Sequence, residues 1–221
     1  MQAQMSDNSA GGRAVFKISS EAEAAAREAE LTAALDRANL YTSLGALFAA
    51  PASDEHCAAL RDLPPIESPE TAMEVAWALL RQSASDYTPQ QIDDEYHQLF
   101  IGLGRGEVVP YGSWHLTGFL MEKPLGKLRA DLRTLGFERS DNIAESEDHI
   151  ASLCQAMAAI IMAEEIDFTT EKAFFNEHIA SWADTFFKLV QDASCAGFYR
   201  AVGQLGESFI SVEKQYLSMA V

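Results

Sequence analysis

The residues best suited to chemistry in this chain fall in two stretches. The first is Asp94-Glu95-Tyr96-His97-Gln98-Leu99-Phe100-Ile101-Gly102, which leads to Val109-Pro110-Tyr111-Gly112-Ser113-Trp114. The second is Glu145-Ser146-Glu147-Asp148-His149. Carboxylates can take a guanidinium through two parallel hydrogen bonds, and an imidazole adds a bond whose sense changes near neutral pH. Tyr111 and Trp114 stand in a Gly-containing loop just after an apolar helix face. Large rings in such a loop either bind a ligand or tuck beneath the loop as satellite core, and the residues alone leave both readings open.

Catalytic chemistry finds no seat in the remaining residues. No Gly-rich loop runs into Lys-Ser/Thr, and no HExxH or GxSxG is present. No pair of Glu-x-x-His segments could hold two irons. Among the five histidines, His97 has Asp93 and Asp94 one turn back, which reads as an exposed ion pair. Glu145 and His149 lie across a helix cap, and His178 between Phe174 and Trp182 reads as a hydrogen-bonded core histidine. No metal ligands and no catalytic residues are expected, and one reading of residues 145–149 is a helix entry that presents carboxylates and an imidazole to a basic peptide. A nucleotide- or metal-dependent enzyme using the 145–149 cluster, or a generic helical adaptor, are the competing readings.

Helices must position these groups. Thr88, Pro89 and Gln91 make a capping box for a helix whose inner face is Ile92, Tyr96, Leu99, Phe100 and Leu103. Before it, residues 1–20 read as a disordered tail, and 21–50 as a helix with Leu31, Leu35, Ala38, Tyr41, Leu44 and Phe48 inward, stopped by Pro51. Ser53 caps a short helix to Leu63, and Ser68-Pro69 opens another, carrying Met73, Val75, Ala76, Leu79 and Leu80. Residues 115–122 form a helical turn, and Leu125–Leu135 a helix closed by Gly136. Ser146 caps the next helix, with Glu147 and Asp148 matching its dipole and Ile150 to Ile161 as its apolar stripe. One helix follows over about 170–191 and a last one over 198–216. The fold class is all-α: an N-terminal helical subdomain (21–136), a hinge (137–145) and a C-terminal subdomain (146–221).

Composition narrows the partners. The 221 residues carry 16 Lys and Arg against 33 Asp and Glu, a formal charge of −17. That excludes nucleic acid and anionic membrane, which need basic patches, and favours basic partners. From Asp141 to Phe187 ten acidic residues face one base, Lys172. Cys57, Cys154 and Cys195 are far apart without a CxxC, so neither a disulfide framework nor a zinc site is expected and a reducing cytoplasm fits. Residues 40–50 read as a helix end rather than a signal-peptide core, because many acidic residues precede them.

Taken together, the two stretches resemble the TorD/DmsD-type redox enzyme maturation chaperones. Tyr96, Leu99, Phe100 and Gly102, then Pro110, Tyr111 and Ser113, match the family's aromatic-x-x-Leu-Phe-x-Gly and Pro-aromatic loop. Glu145, Asp148 and His149 match its Glu-Pro-x-Asp-His motif, with Ser146 where that motif has Pro. The resemblance covers about 31–215. It implies a cytoplasmic chaperone that binds the twin-arginine signal peptide, the apo form, or both, of a molybdoenzyme reductase while molybdopterin cofactor is inserted. It further implies no resident cofactor, weak guanine-nucleotide binding, and homodimers formed by exchange of subdomains. The expected peptide-binding residues are Tyr96, Leu99, Phe100, Pro110, Tyr111, Ser113, Trp114, Glu145, Asp148 and His149, with Asp94, Glu95 and Glu147 adding charge for the arginines. On this reading Asp148→Ala weakens peptide binding without unfolding the bundle.

Overall fold

The computed structural model of the chain describes residues 20–102, 105–138 and 145–219. Residues 1–19 of the expected tail, Leu103 and residues 139–144 of the expected hinge lie outside the described residues, and Ser20 already belongs to α1. The all-α expectation holds: ten α-helices run in the order α1 (Ser20–Ala49), α2 (Asp54–Asp62), α3 (Ala72–Asp86), α4 (Pro89–Tyr96), α5 (Gly112–Thr117), α6 (Lys123–Thr134), α7 (Ile150–Met162), α8 (Phe168–His178), α9 (Ala183–Asp192) and α10 (Phe198–Ser218). Among the described residues no helix is long and apolar enough to cross a membrane.

Helix α1 packs along α7, while α10 packs on α3 and α9. Helices from both sides of residues 137–145 therefore share one core. At its centre Phe48 meets Phe100 and Phe186 edge-on, with centroids 5.6 and 5.3 Å apart, and Phe100 meets Tyr199 at 5.4 Å. Rings in this offset arrangement pack better than flat sandwiches. The two tyrosines of the cluster satisfy their hydroxyls on the end of α1: Tyr96 donates to Phe48 O at 3.1 Å and Tyr199 to Leu47 O at 3.0 Å.

Several boundaries are set by caps that were expected. Thr88 and Gln91 form the capping box of α4, and Ser53 with His56 that of α2. Gly136 takes φ +81° one residue past the C-cap of α6. There the N–H of Phe137 bonds Leu132 O at 2.9 Å and that of Gly136 bonds Arg133 O at 3.1 Å, the paired closure of a Schellman turn.

Elsewhere the structure departs from expectation. Helix α3 starts after Thr71, not at Ser68-Pro69, because the Glu74 carboxylate accepts the N–H groups of Glu70 and Thr71. Leu31 and Leu35 are exposed; α1 enters the core only from Arg37 onward. The helix expected over 170–191 is two helices. Trp182 breaks it, since its indole N–H donates to His178 O at 2.7 Å and ends α8. Helix α7 begins after His149, not Ser146.

Two buried polar arrangements tie distant segments together. Arg37 donates from Nε to Glu213 Oε1 at 2.6 Å and from one terminal nitrogen to Glu213 Oε2 at 2.8 Å and to Glu171, with Tyr41 also donating to Glu213. The Glu95 carboxylate, buried on α4, accepts the N–H groups of Gly197 (2.8 Å), Phe198 (3.0 Å) and Tyr199 (2.7 Å). It thus caps α10 from a hundred residues away. Helix N-terminal N–H groups need such an acceptor when buried. Replacing Glu95 by Ala is expected to destabilise the protein by about 2–4 kcal/mol. Glu95→Gln, which keeps one acceptor oxygen, should lose less. Urea unfolding of the two variants beside the wild type checks both magnitudes.

Candidate functional site

Helix α4 does not stop at Tyr96. It widens into a π-helical turn over His97–Ile101, closed by Gly102 N–H on His97 O at 2.7 Å. Ile92, Tyr96, Leu99 and Phe100 are all buried, as the spacing predicts. Gly102 then reverses the chain at φ +62°. At Gly106 a Cβ would collide with the backbone of Leu99 and Phe100, so only glycine lets the loop lie back on the π-turn. Val108 N–H completes that seat on Leu99 O at 2.9 Å.

Past Val109 the loop meets the second motif. Ile150 N–H donates to Pro110 O at 2.9 Å and Gly112 N–H to Asp148 O at 2.8 Å, a short antiparallel bridge pairing Tyr111 with His149. Asp148, only 4% exposed, receives Ser113 N–H on Oδ2 at 2.9 Å and the Ser146 hydroxyl on Oδ1. His149, also 4% exposed, accepts Ala151 N–H on Nδ1 at 3.1 Å and so caps α7. The Tyr111 hydroxyl donates to Glu145, and its ring stands edge-on to His149 with centroids 4.9 Å apart. The structure thus brings together Pro110, Tyr111, Ser113, Glu145, Asp148 and His149.

Of the residues expected to contact a peptide, Tyr96, Leu99, Phe100, Pro110, Ser113, Asp148 and His149 are buried, and Tyr111, Trp114 and Glu145 are half-buried. Trp114 carries Arg105 over its ring at 4.7 Å. Asp148 lies one residue before the α7 N-cap, and its two oxygens hold the loop and Ser146. An Asp148→Ala change would therefore strand a buried N–H as well as remove charge. Glu95 is likewise unavailable to an arginine, since it caps α10. Asp94 is exposed, and Glu147 pairs with Arg129 at 2.9 Å. His97 lies 3.6 Å from Asp93 on the exposed face, as expected.

The bridged motifs form one wall of a groove of about 650 Å³. Gly112, Ser113 and Asp148 lie on that wall, with Leu116, Pro124, Leu128 and Leu153 giving apolar lining and His178 and Glu177 the far side. Trp182 packs under Gly112 and stacks on His115 at 5.1 Å. His178 Nε2 is 2.8 Å from Asp131 Oδ2. A groove of this size suits a small ligand or a few side chains of a peptide. Among the described residues no group of three or more His, Cys, Asp or Glu could hold a metal ion, and every buried side-chain polar atom has a hydrogen-bond partner. The cluster is built for holding shape, with its polar groups engaged on one another. One surface was missed in the sequence: Leu116, Phe119, Leu120 and Met121 are exposed beside the groove. The signal was there, as an apolar run in a Gly-broken segment too short to bury a helix face.

Burial pushes the His149 imidazole below its ordinary range, against the opposing pull of Glu145 and Asp148. Burial does the same to His178 despite Asp131, and to His115 despite Val109 O. A histidine held neutral in the fold but free to protonate when unfolded makes the protein lose stability as pH falls below about 6.5. Asn at position 149 keeps an N-cap acceptor without titrating. The His149→Asn variant should therefore show a shallower loss of stability between pH 7.5 and 5.5, read from denaturation midpoints across that window.

A family model described as the nitrate reductase delta subunit matches residues 67–188, more than half of the chain. The chain is 26% identical over 133 residues to the chaperone protein TorD of Vibrio cholerae, covering 56% of this chain and 60% of that protein. It is 26% identical over 134 residues to TorD of Vibrio vulnificus, covering 56% and 62%. The aligned region thus spans about three-fifths of these relatives. The fold resembles that of a redox enzyme maturation protein from Archaeoglobus fulgidus, with a TM-score of 0.52 and 16% identity over 79% of this chain and 93% of that one. These relatives are named as chaperones and a maturation protein, not as enzymes. The chain belongs to the nitrate reductase delta subunit family, the group that includes the TorD chaperones.

Proposed function

We propose that this protein is a cytoplasmic maturation chaperone that binds the twin-arginine signal peptide, the apo form, or both, of a molybdoenzyme reductase. It holds the client back from export while molybdopterin cofactor is inserted. The observation that carries this reading is the groove walled by Gly112, Ser113 and Asp148, apolar along Leu116, Leu128 and Leu153, on a chain of formal charge −17. A twin-arginine signal joins a basic end to an apolar stretch, so its receptor needs apolar surface in an acidic setting. Family membership supports the same client class. The arrangement requires no chemistry of its own, since binding alone delays export.

Calorimetric titration with a panel of twin-arginine signal peptides from molybdoenzymes, each beside a lysine-for-arginine control, tests the reading. One peptide should bind saturably and its control at least tenfold more weakly. Affinity should fall only in part as salt rises from low to physiological strength, because apolar contacts are not screened. No binding by any peptide to the folded protein would overturn the signal-peptide reading.

A further inference from the structure

The groove accounts for the buried motifs but not for the segment that follows them. Leu116, Phe119, Leu120 and Met121 are 42%, 67%, 51% and 78% exposed, four of the twelve large apolar side chains so exposed among the described residues. Phe119 is the one phenylalanine among them. Scattered exposed apolar residues are ordinary, but a contiguous set marks a surface that meets something.

The backbone beneath the patch is built, not frayed. Gly118 ends α5 with φ +79° and its N–H on Trp114 O at 2.8 Å. The Thr117 hydroxyl donates to Ser113 O at 2.8 Å and accepts Phe119 N–H at 3.2 Å. Met121 N–H donates to the Ser113 hydroxyl at 3.2 Å. Met121 itself stands at φ +59°, the one non-glycine among the described residues in the left-handed region. A long side chain kept there carries strain that the surrounding bonds must offset. Those bonds end on Ser113, whose own N–H is held by Asp148. The second motif thus sets the position of the patch through Ser113.

From this we infer that Leu116–Met121 forms the lip of the groove and receives the apolar stretch of a peptide whose flanking end is basic. This rests on the peptide-binding reading above and adds the surface that does the apolar part. Local charge selects the occupant. Glu122, Asp131 and Glu177 stand in or beside the groove against Lys123 and Lys127, so three carboxylates meet two ammonium groups, Asp148 being spent on Ser113 and Ser146. Lys127 is already paired with Asp131 at 3.0 Å and Glu177 at 3.2 Å. An apolar patch in this acidic setting repels an anionic lipid surface and accepts a peptide with basic residues beside its apolar run.

The test uses the full chain and a double variant, Phe119→Ser with Met121→Asn; Asn tolerates left-handed backbone, and both sites are exposed, so the fold should survive, as circular dichroism will check. Three synthetic probes are titrated: a twin-arginine signal peptide, the same peptide with lysines for arginines, and the same peptide with its apolar stretch replaced by Ser and Gly. The expected result is at least a tenfold loss of affinity in the variant for the two probes that keep the apolar stretch. Affinity for the third, weak already, should be unchanged. Equal binding of the twin-arginine peptide to wild type and variant would overturn the lip while leaving the signal-peptide reading intact. Equal binding of the arginine and lysine probes, both lost in the variant, would uphold the lip and overturn the twin-arginine reading. Binding of neither apolar probe to the wild type would overturn the lip. Self-association of the wild type that the variant abolishes and the peptides do not compete with would assign the patch to a second copy and likewise overturn it.

Discussion

Everything at the site depends on one short strap, in which residues 110–113 and 148–150 exchange backbone hydrogen bonds around the Asp148 carboxylate. The strap answers a definite requirement. The loop from Val108 to Ser113 is almost entirely buried, and buried backbone polar groups must be paired. Leu99 O takes the N–H of Val108, His115 takes the carbonyl of Val109, Ile150 N–H takes that of Pro110, and Asp148 accepts the N–H groups of Gly112 and Ser113. A free carboxylate at this depth would be costly. Asp148 is tolerated because Ser113 and Ser146 donate to both its oxygens. The same bonds place the start of α7, one wall of the groove and, through Ser113, the segment up to Met121.

The strap could not work on a mobile frame, and two buried acidic groups supply the rigidity. Glu95 lies one residue before Tyr96, whose ring packs on Tyr199 with centroids 5.7 Å apart. By capping α10 at that point, Glu95 fixes the π-turn against the longest C-terminal helix. Glu213, near the other end of α10, binds Arg37 and Tyr41 of α1. Arg37 also reaches Glu171 on α8 and lies over the Tyr216 ring at 4.2 Å. A buried ion pair adds little net stability over an apolar replacement, yet breaking it leaves a charge without a partner. Its consequence here is register: Glu213 holds one end of α10 against α1, and Glu95 holds the other end against α4.

Much of this frame was legible in the sequence, and what was hidden shares a cause. Fold class, the capped starts of α2 and α4, the stop at Pro51 and the Gly136 closure all rest on neighbours within five residues, so local pattern reveals them. The cap of α10 is a glutamate that lies 102 residues before Gly197, and no local rule can find it. The break between α8 and α9 was missed because Trp182 reads as one more inward residue at helical spacing until its indole is seen on His178 O. Ser146 is a good N-cap by type, but its hydroxyl is engaged on Asp148, and the cap passes to His149. Leu31 and Leu35 fit the stripe of α1, yet spacing cannot say where along a helix the core begins.

The same distinction explains why the motifs mark scaffold rather than surface. A left-handed turn at Gly102, a backbone contact at Gly106 and a carboxylate bonded on both oxygens at Asp148 each admit very few residue types. Requirements that narrow leave a pattern in fixed order, and Tyr-x-x-Leu-Phe-x-Gly with Asp-His is such a pattern. An apolar contact surface has looser demands. Leucine, phenylalanine and methionine in almost any order cover comparable area, so Leu116 to Met121 spell no motif even where the backbone beneath them is tightly held. On the proposed function, recognition rests on two kinds of residue at once: a buried set, legible because geometry restricts it, and a neighbouring exposed set that becomes visible only when the buried one is seen to hold it in place.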